Sequence, residues 1–169
     1  YYDFSKLVAS RGVVVVSTNY RLGALWWFSH PAIQGAQQGL DKTSNFGTID
    51  IIEALKWVKG NIDSFGGDAT NVTIFGESAG GHNVYALLAS PLLYGLFHKA
   101  ISQSGYTSSH TVADAINKDA KNPLVDRGSW QSVNAMSNPN ESSAEIRRAL
   151  KNIDAREFIG LYYENDGMD

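Results

Sequence analysis

The fold of this chain is decided by a single stretch, Thr73-Ile74-Phe75-Gly76-Glu77-Ser78-Ala79-Gly80-Gly81. The apolar residues from Val72 to Phe75 predict a strand, and a helical pattern begins directly after Ser78. A serine on so sharp a strand-to-helix turn is pushed toward positive φ, which costs energy for any residue except glycine. Glycine two residues before and after the serine suits the crowded backbone of such a turn. The stretch therefore predicts a βα corner with an exposed serine at its tip.

The predicted corner also suggests a chemistry. Ser78 Oγ is expected at the carboxyl end of the sheet. The N–H of Ala79 and the positive end of the helix dipole point there, to the place where an oxyanion would form. The pattern G-x-S-x-G recurs by chance, and the alternative is a tight loop that only turns the corner. The strand before it and the helix after it favour a nucleophile elbow, with Ser78 as nucleophile and Ala79 as oxyanion donor.

Strands are predicted on both sides of this elbow. Residues 13–16 are four consecutive valines, which is typical of a strand buried on both faces. Lys99 to Ser102 predicts a further short strand. Helical patterns lie between these strands, so the chain belongs to the α/β class, with parallel strands, crossover helices and a three-layer α/β/α arrangement. Ligands of such sheets bind beyond the carboxyl ends of the strands.

The helices before residue 110 have clear limits. An amphipathic helix is predicted from Tyr1 to Arg11 and another from Ala79 to Ala89, which Ser90 and Pro91 end. The clearest helix covers residues 48–62, with Gly47 or Thr48 as N-cap and Asp50 in the first turn. Its apolar stripe comprises Ile51, Ile52, Leu55, Val58 and Ile62.

Two regions lack this regularity. Residues 22–45 are aromatic and aperiodic, so they either line a site or pack on the core, and His30 reads as an ordinary loop histidine. Residues 117–142 are polar and predict a mobile loop. Short helices are predicted at residues 143–150 and 154–163.

The composition changes near residue 110. We expect residues 1–110 to hold the elbow and its sheet, and residues 111–169 to form a polar loop with short helices. Ser142 or Ser143 could cap the first of these helices, with Glu145 near the reach-back position of a capping box. These helices have too few apolar residues to fold alone. They rest either on residues 22–45 or on chain that is not present here.

Charge and composition exclude several classes of protein. The net charge is −3 and 43% of the residues are hydrophobic, which indicates a globular chain without a basic surface for nucleic acid or anionic membranes. The sequence has no apolar run long enough to cross a bilayer. It has no cysteine, and therefore no disulfide and no thiolate metal site. A cytoplasmic and a secreted location both stay open.

The stretch from Gly12 to Gly105 resembles the type-B carboxylesterases, the α/β-hydrolase branch that includes cholinesterases and bacterial para-nitrobenzyl esterases. The motifs occur in the family's order: Asn19-Tyr20-Arg21-Leu22-Gly23, Asn45-Phe46-Gly47, Ala54-Leu55-Lys56-Trp57-Val58, Phe65-Gly66-Gly67-Asp68, the elbow, and Ile101-Ser102-Gln103-Ser104-Gly105. The resemblance implies hydrolysis of a small carboxylic ester, without metal or cofactor.

The resemblance also implies roles for individual residues. Ser78 matches the nucleophile that forms an acyl-enzyme, and Ala79 matches an oxyanion donor. Glu77 matches an acidic neighbour of the acyl pocket. Ser104 matches a second serine that supports the catalytic histidine and its acid partner. Arg21 and Asp50 match a family salt bridge.

The departures from the family pattern are as informative as the matches. The glycine-rich oxyanion loop should precede Tyr1, and the triad acid and histidine should follow far downstream. His82, His98 and His110 lie outside the family's histidine motif and read as structural or surface residues. We therefore expect an incomplete α/β-hydrolase, inactive alone, whose site is completed by the remaining segments of the same enzyme. The alternatives are a non-catalytic, esterase-like binding or adhesion protein and an unrelated serine hydrolase that shares only the elbow.

Overall fold

The structure is a computed structural model that describes residues 3–25, 27–109, 111–116, 128–138 and 140–163. It divides into two compact units. The elbow unit comprises residues 1–20 and 48–108, and the helical unit comprises residues 21–47 and 109–169. Residues 21–47 thus group with the C-terminal segment, while the division at residue 110 stays a prediction.

The described part of the chain contains two strands, one helix between them, and further helices before and after. The two strands are β1 (Thr73–Glu77) and β2 (Lys99–Gln103). The α-helices are α1 (Ser5–Arg11), α2 (Pro31–Gln34), α3 (Phe46–Asn61), α4 (Ala79–Ala89), α5 (Val112–Ile116), α6 (Ser129–Met136), α7 (Ser143–Asn152) and α8 (Ala155–Tyr163). Short 3-10 helices cover Gly39–Thr43, Ile62–Phe65 and Pro91–Leu93.

The centre of the elbow unit is a βαβ motif. β1 and β2 pair in parallel, with Thr73 opposite Lys99 and Glu77 opposite Gln103. Helix α4 connects the two strands and packs on both. The predicted strands at 72–75 and 99–102 and the predicted helix at 79–89 are therefore confirmed, with small changes at the strand ends.

The core of the elbow unit lies on one face of this sheet. The predicted apolar stripe of α3 is confirmed, because Ile52 and Leu55 are buried and Ile51 packs against the same cluster. The cluster comprises Ile52, Leu55, Ile74, Val84, Leu87, Leu93 and Leu96. Phe75 points to the other face of the sheet, where its ring meets the edge of Phe4 at 5.4 Å. Helices α3 and α4 thus cover one face of the sheet, while on the other face Phe75 remains 41% exposed beside Phe4.

The predicted strand at residues 13–16 is absent. This segment has no regular secondary structure, and Val13, Val14 and Val16 are 41–45% exposed. A strand needs a neighbour for its backbone hydrogen bonds, and within the described part of the chain β1 and β2 pair only with each other. High β propensity therefore does not produce a strand here.

The start of α3 also differs from the prediction. The helix begins at Phe46, so Gly47 and Thr48 lie inside its first turn, and Asp50 lies beyond that turn. Gly47 is required for packing and not for capping. A Cβ atom at this position would lie 2.5 Å from the Trp27 ring and 2.7 Å from the Arg21 carbonyl oxygen.

The helical unit joins residues 21–47 to the C-terminal helices. Residues 22–45 are less irregular than predicted, because they contain α2 and a 3-10 helix. α2 packs against α7, and the ring of Phe28 meets the edge of Phe158 at 5.2 Å. Of the two predicted supports for the C-terminal helices, residues 22–45 are therefore confirmed.

The predicted mobile loop at 117–142 is wrong for residues 129–136, while the described residues 137–138 and 140–142 contain no helix or strand. Residues 129–136 form α6, in which Ser132 and Val133 are fully buried. The Ser132 hydroxyl donates to the Gly128 carbonyl at 3.2 Å, and the Ser129 hydroxyl donates to the Ser29 carbonyl. Buried serines satisfied in this way give a helix a polar sequence, which hid it from hydrophobic periodicity. Residues 117–127 and 139 lie outside the described residues.

The cap of α7 is confirmed and assigned to Ser142. Its hydroxyl accepts from the Glu145 N–H at 3.4 Å, and its own N–H donates to Glu145 Oε2 at 2.8 Å. This reciprocal pair is a capping box. The helix predicted at 154–163 is confirmed as α8. Among the described residues, no helix is both long and apolar enough to span a bilayer.

Candidate active site

Ser78 adopts the strained backbone that its place in the sequence predicts. Its φ is 52° and its ψ is −116°, and it lies between the last residue of β1 and the first residue of α4. Its N–H donates to the Gln103 carbonyl at 2.9 Å, and its carbonyl accepts the His82 N–H at 2.9 Å. Both backbone groups are thus engaged, while the residue itself is exposed. The hydroxyl is therefore presented to solvent on a firmly held turn.

Gly76 and Gly80, the two glycines of the G-x-S-x-G motif, differ in how closely other atoms surround them. A Cβ atom on Gly76 would lie 2.4 Å from both the carbonyl carbon and the carbonyl oxygen of Gly80. A Cβ atom on Gly80 would meet nothing within 4 Å. The predicted need for glycine is therefore confirmed two residues before the serine. It is wrong two residues after it, because that position lies on an open side of α4.

A second pair of glycines, which the sequence reading missed, holds the elbow against β2. A Cβ atom on Gly105 would lie 2.5 Å from the Gly81 carbonyl carbon, and one on Gly81 would lie 2.7 Å from the Gln103 carbonyl oxygen. The first turn of α4 therefore lies directly on the chain that follows β2. The two glycines are visible in the sequence, but their contact could not be predicted from it. The contact depends on how β1 and β2 pair and not on the spacing of Gly81 and Gly105.

The structure brings the four predicted site residues to one edge of the sheet. Glu77 and Gln103 are the paired last residues of β1 and β2, so Ser78 and Ser104 follow them on adjacent strands. Neighbouring strands lie about 4.8 Å apart. Ser104 also has positive φ, at 53°. Ala79 is the first residue of α4, and its N–H has no acceptor within the helix.

Arg21 lies in the helical unit, where its guanidinium carbon lies 5.2 Å from the centre of the Phe46 ring. This distance suits a cation–π contact. The salt bridge between Arg21 and Asp50 stays a prediction.

The histidines of the elbow unit make contacts of their own. His98 precedes β2 at the amino end of the sheet, and its Nδ1 accepts from the Val72 N–H at 3.1 Å. The His82 ring meets the edge of Tyr106 at 5.0 Å, and its Nδ1 is buried without a hydrogen-bond partner in the described part of the chain. His110 lies outside the described residues.

His30 is not the ordinary loop histidine that the sequence suggested. It is 4% exposed, it precedes α2, and its Nδ1 accepts from the Ala32 N–H at 3.1 Å. The Trp130 ring lies 5.0 Å from the imidazole, centre to centre. Burial lowers the pKa of His30 below its ordinary value of 6.5. The neutral imidazole is therefore an N-cap and a core residue of the helical unit.

We expect the stability of the helical unit to fall in acid because of His30. Its pKa is lower in the folded state, so between the two pKa values the unfolded chain binds more protons, and stability rises with pH. The stabilisation is complete above pH 6.5 and is lost as the pH falls through the folded pKa. The urea midpoint, followed by tryptophan fluorescence, should fall between pH 7.5 and 5.5. It should fall less in His30→Asn, whose amide can cap without titrating. Equal pH dependence in both proteins would contradict this.

Comparison with known proteins decides the family. The model of the carboxylesterase family matches residues 1–167. This chain is a type-B carboxylesterase family member. Its βαβ unit and elbow are accordingly part of an α/β-hydrolase fold.

The carboxylesterase relatives are much longer than this chain. Para-nitrobenzyl esterase of Bacillus subtilis is 46% identical over 119 residues, which cover 70% of this chain and 23% of the relative. Human cocaine esterase is 50% identical over 104 residues, 62% of this chain and 17% of that protein. A solved carboxylesterase of Geobacillus stearothermophilus superposes with a TM-score of 0.77 at 31% identity, covering 96% of this chain and 31% of its own. This chain thus spans about a quarter of the length of such relatives.

Proposed function

We propose that this chain carries the nucleophile of a carboxylic-ester hydrolase that works through a serine acyl-enzyme. The observation that carries the proposal is the exposed Ser78 at φ 52°, with both of its backbone groups hydrogen-bonded. Strain of this kind persists only where surrounding structure imposes it, and it concentrates at functional sites. Glycine would make the same turn without strain, so the presence of serine here favours a role for its hydroxyl.

The reaction would proceed in two steps at Ser78 Oγ. In the first, Oγ attacks the ester carbonyl and its proton passes to a base. The base then returns this proton to the leaving oxygen, the tetrahedral intermediate collapses and expels the alcohol, and the acyl group stays on the serine. In the second step water attacks the acyl-enzyme by the same route and releases the acid.

The Ala79 N–H would stabilise the oxyanion of both tetrahedral intermediates. It lies at the positive end of α4 and has no acceptor within the helix. Removal of one such donor typically lowers kcat by about 10²- to 10³-fold. Glu77 and Ser104 lie at the same edge and would support the acyl pocket and the catalytic base.

The base itself is assigned to residues beyond those described. A serine hydroxyl is a weak nucleophile at neutral pH without a base beside it. His98 lies at the amino end of β2, away from Ser78. We therefore propose that the triad acid and histidine come from other parts of the full-length gene product. A small carboxylic ester is the proposed substrate, in keeping with the names of the relatives.

A fluorophosphonate tests this assignment, because it reacts with an activated serine and stays attached. We expect one adduct per chain of the full-length gene product, found by peptide mass spectrometry on the peptide that contains Ser78. Heat-denatured protein is the control and should not react. An adduct on another serine, or none on the folded protein, would contradict the proposal. The latter result would favour an esterase-like binding protein.

A further inference from the structure

We propose that Ser102 is a positioning residue that, together with the Gln103 carbonyl, holds the Ala79 N–H in the direction of the oxyanion. This inference rests on the proposed function, since it concerns how the same site is kept in shape. Neither the sequence pattern nor the family resemblance gave Ser102 a role. It is a half-buried residue within β2, one strand away from the nucleophile.

Two hydrogen bonds from consecutive residues of β2 bracket Ala79. The Ser102 hydroxyl donates to the Gly81 carbonyl at 3.0 Å, and the Gln103 carbonyl accepts the Ser78 N–H at 2.9 Å. Ala79 lies between the two anchored residues, Ser78 and Gly81. The direction of its N–H is therefore set from β2 on both sides and not by the helix alone.

Close packing leaves this connection little freedom. The backbones of Gly81 and Gly105 approach so closely that a Cβ on either would overlap the other segment. The positive φ of Ser104, 53°, turns the chain directly after β2. Tyr106 then contacts His82 in the first turn of α4. The segment from Ser102 to Tyr106 thus forms the surface on which the first turn of α4 packs.

Within this packing surface, the Ser102 hydroxyl is the group that a mutation can remove without preventing the protein from folding. The Gly81 carbonyl can still accept the bond from four residues ahead in the helix, so α4 should persist. Without the hydroxyl, the first turn of α4 loses one of its two attachments to β2. The strain at Ser78 then favours a small rotation of the turn, which misdirects the Ala79 N–H.

Kinetics of Ser102→Ala in the full-length gene product test the proposal. We expect kcat for para-nitrophenyl acetate to fall about tenfold with KM within about twofold, since a misaligned donor should cost less than a deleted one. Binding of a trifluoromethyl ketone, which forms an oxyanion on the nucleophile, should weaken by a similar factor. Ser102→Thr keeps the hydroxyl on a β-branched residue suited to a strand, so this variant should retain most of the wild-type kcat. Ser90→Ala, at the far end of α4, is the matched control and should leave all three values unchanged.

The outcomes separate this inference from the proposed function. If wild-type protein takes the phosphonate on Ser78 but Ser102→Ala keeps wild-type kcat and inhibitor affinity, the positioning role is overturned alone. A loss of kcat in Ser102→Ala with unchanged affinity for the ketone would also overturn it, because the oxyanion donor would then be intact. Failure of wild-type Ser78 to react would overturn both.

Discussion

Ser78→Ala is expected to lower kcat/KM of the full-length gene product for para-nitrophenyl acetate by about 10⁴-fold or more. The substitution removes the only atom proposed to form a covalent bond with the substrate. It leaves the turn intact, because alanine tolerates the same backbone about as well as serine does. The measurement is initial-rate kinetics, with circular dichroism to show that the variant is folded.

Two further variants separate the loss of chemistry from the strain. Ser44 also has positive φ, 57°, but lies in the helical unit, so Ser44→Ala is the matched control and should retain activity. Ser78→Gly should be as inactive as Ser78→Ala but about 1 kcal/mol more stable, because glycine adopts positive φ without penalty. Turnover by Ser78→Ala within tenfold of wild type would refute the nucleophile assignment.

Gly76→Ala should destabilise the protein by about 3 kcal/mol, near the upper end of ordinary overpacking. Its Cβ would lie 2.4 Å from the backbone of Gly80, and backbone cannot rotate away as a side chain can. Relief therefore requires β1 and α4 to separate at the elbow, so activity should fall as well. Urea unfolding and ester kinetics measure the two effects.

Gly80→Ala is the matched control, since it adds the same methyl group four residues later. The new Cβ would meet nothing within 4 Å, and alanine favours a helix over glycine by about 1 kcal/mol. We expect unchanged or slightly higher stability. Similar losses in both variants would show that the close approach at Gly76 does not determine the geometry of the elbow.

The elbow was predictable because its causes are local. A strand that turns into a helix at one residue forces positive φ there and crowds the backbone two residues before it, whatever the rest of the protein does. The limits of α4 follow equally from Ser90 and Pro91, and the Ser142 cap of α7 from Glu145 three residues on. Each of these features depends on atoms within about five residues.

The errors arose where partners distant in sequence decide the structure. Residues 13–16 carry strong strand propensity but lack a pairing strand in the described part of the chain. α6 looked like a loop because its buried serines bond to backbone groups, one of them 100 residues away at Ser29. His30 was predicted as an ordinary loop histidine, but in the structure it is buried against Trp130.

The sequence by itself determined the α/β class, the strained βα corner at Ser78 and the family, since steric limits and motif order depend on the order of residues. Tertiary structure alone decided which strands pair and which loop supports the C-terminal helices. It also decided that the first turn of α4 is held by Ser102, Gln103 and Gly105. The physical reason is that hydrogen bonds and close packing between distant segments depend on how strands align. The secondary-structure propensity of a segment and the spacing of its residues do not specify how its strands align with others.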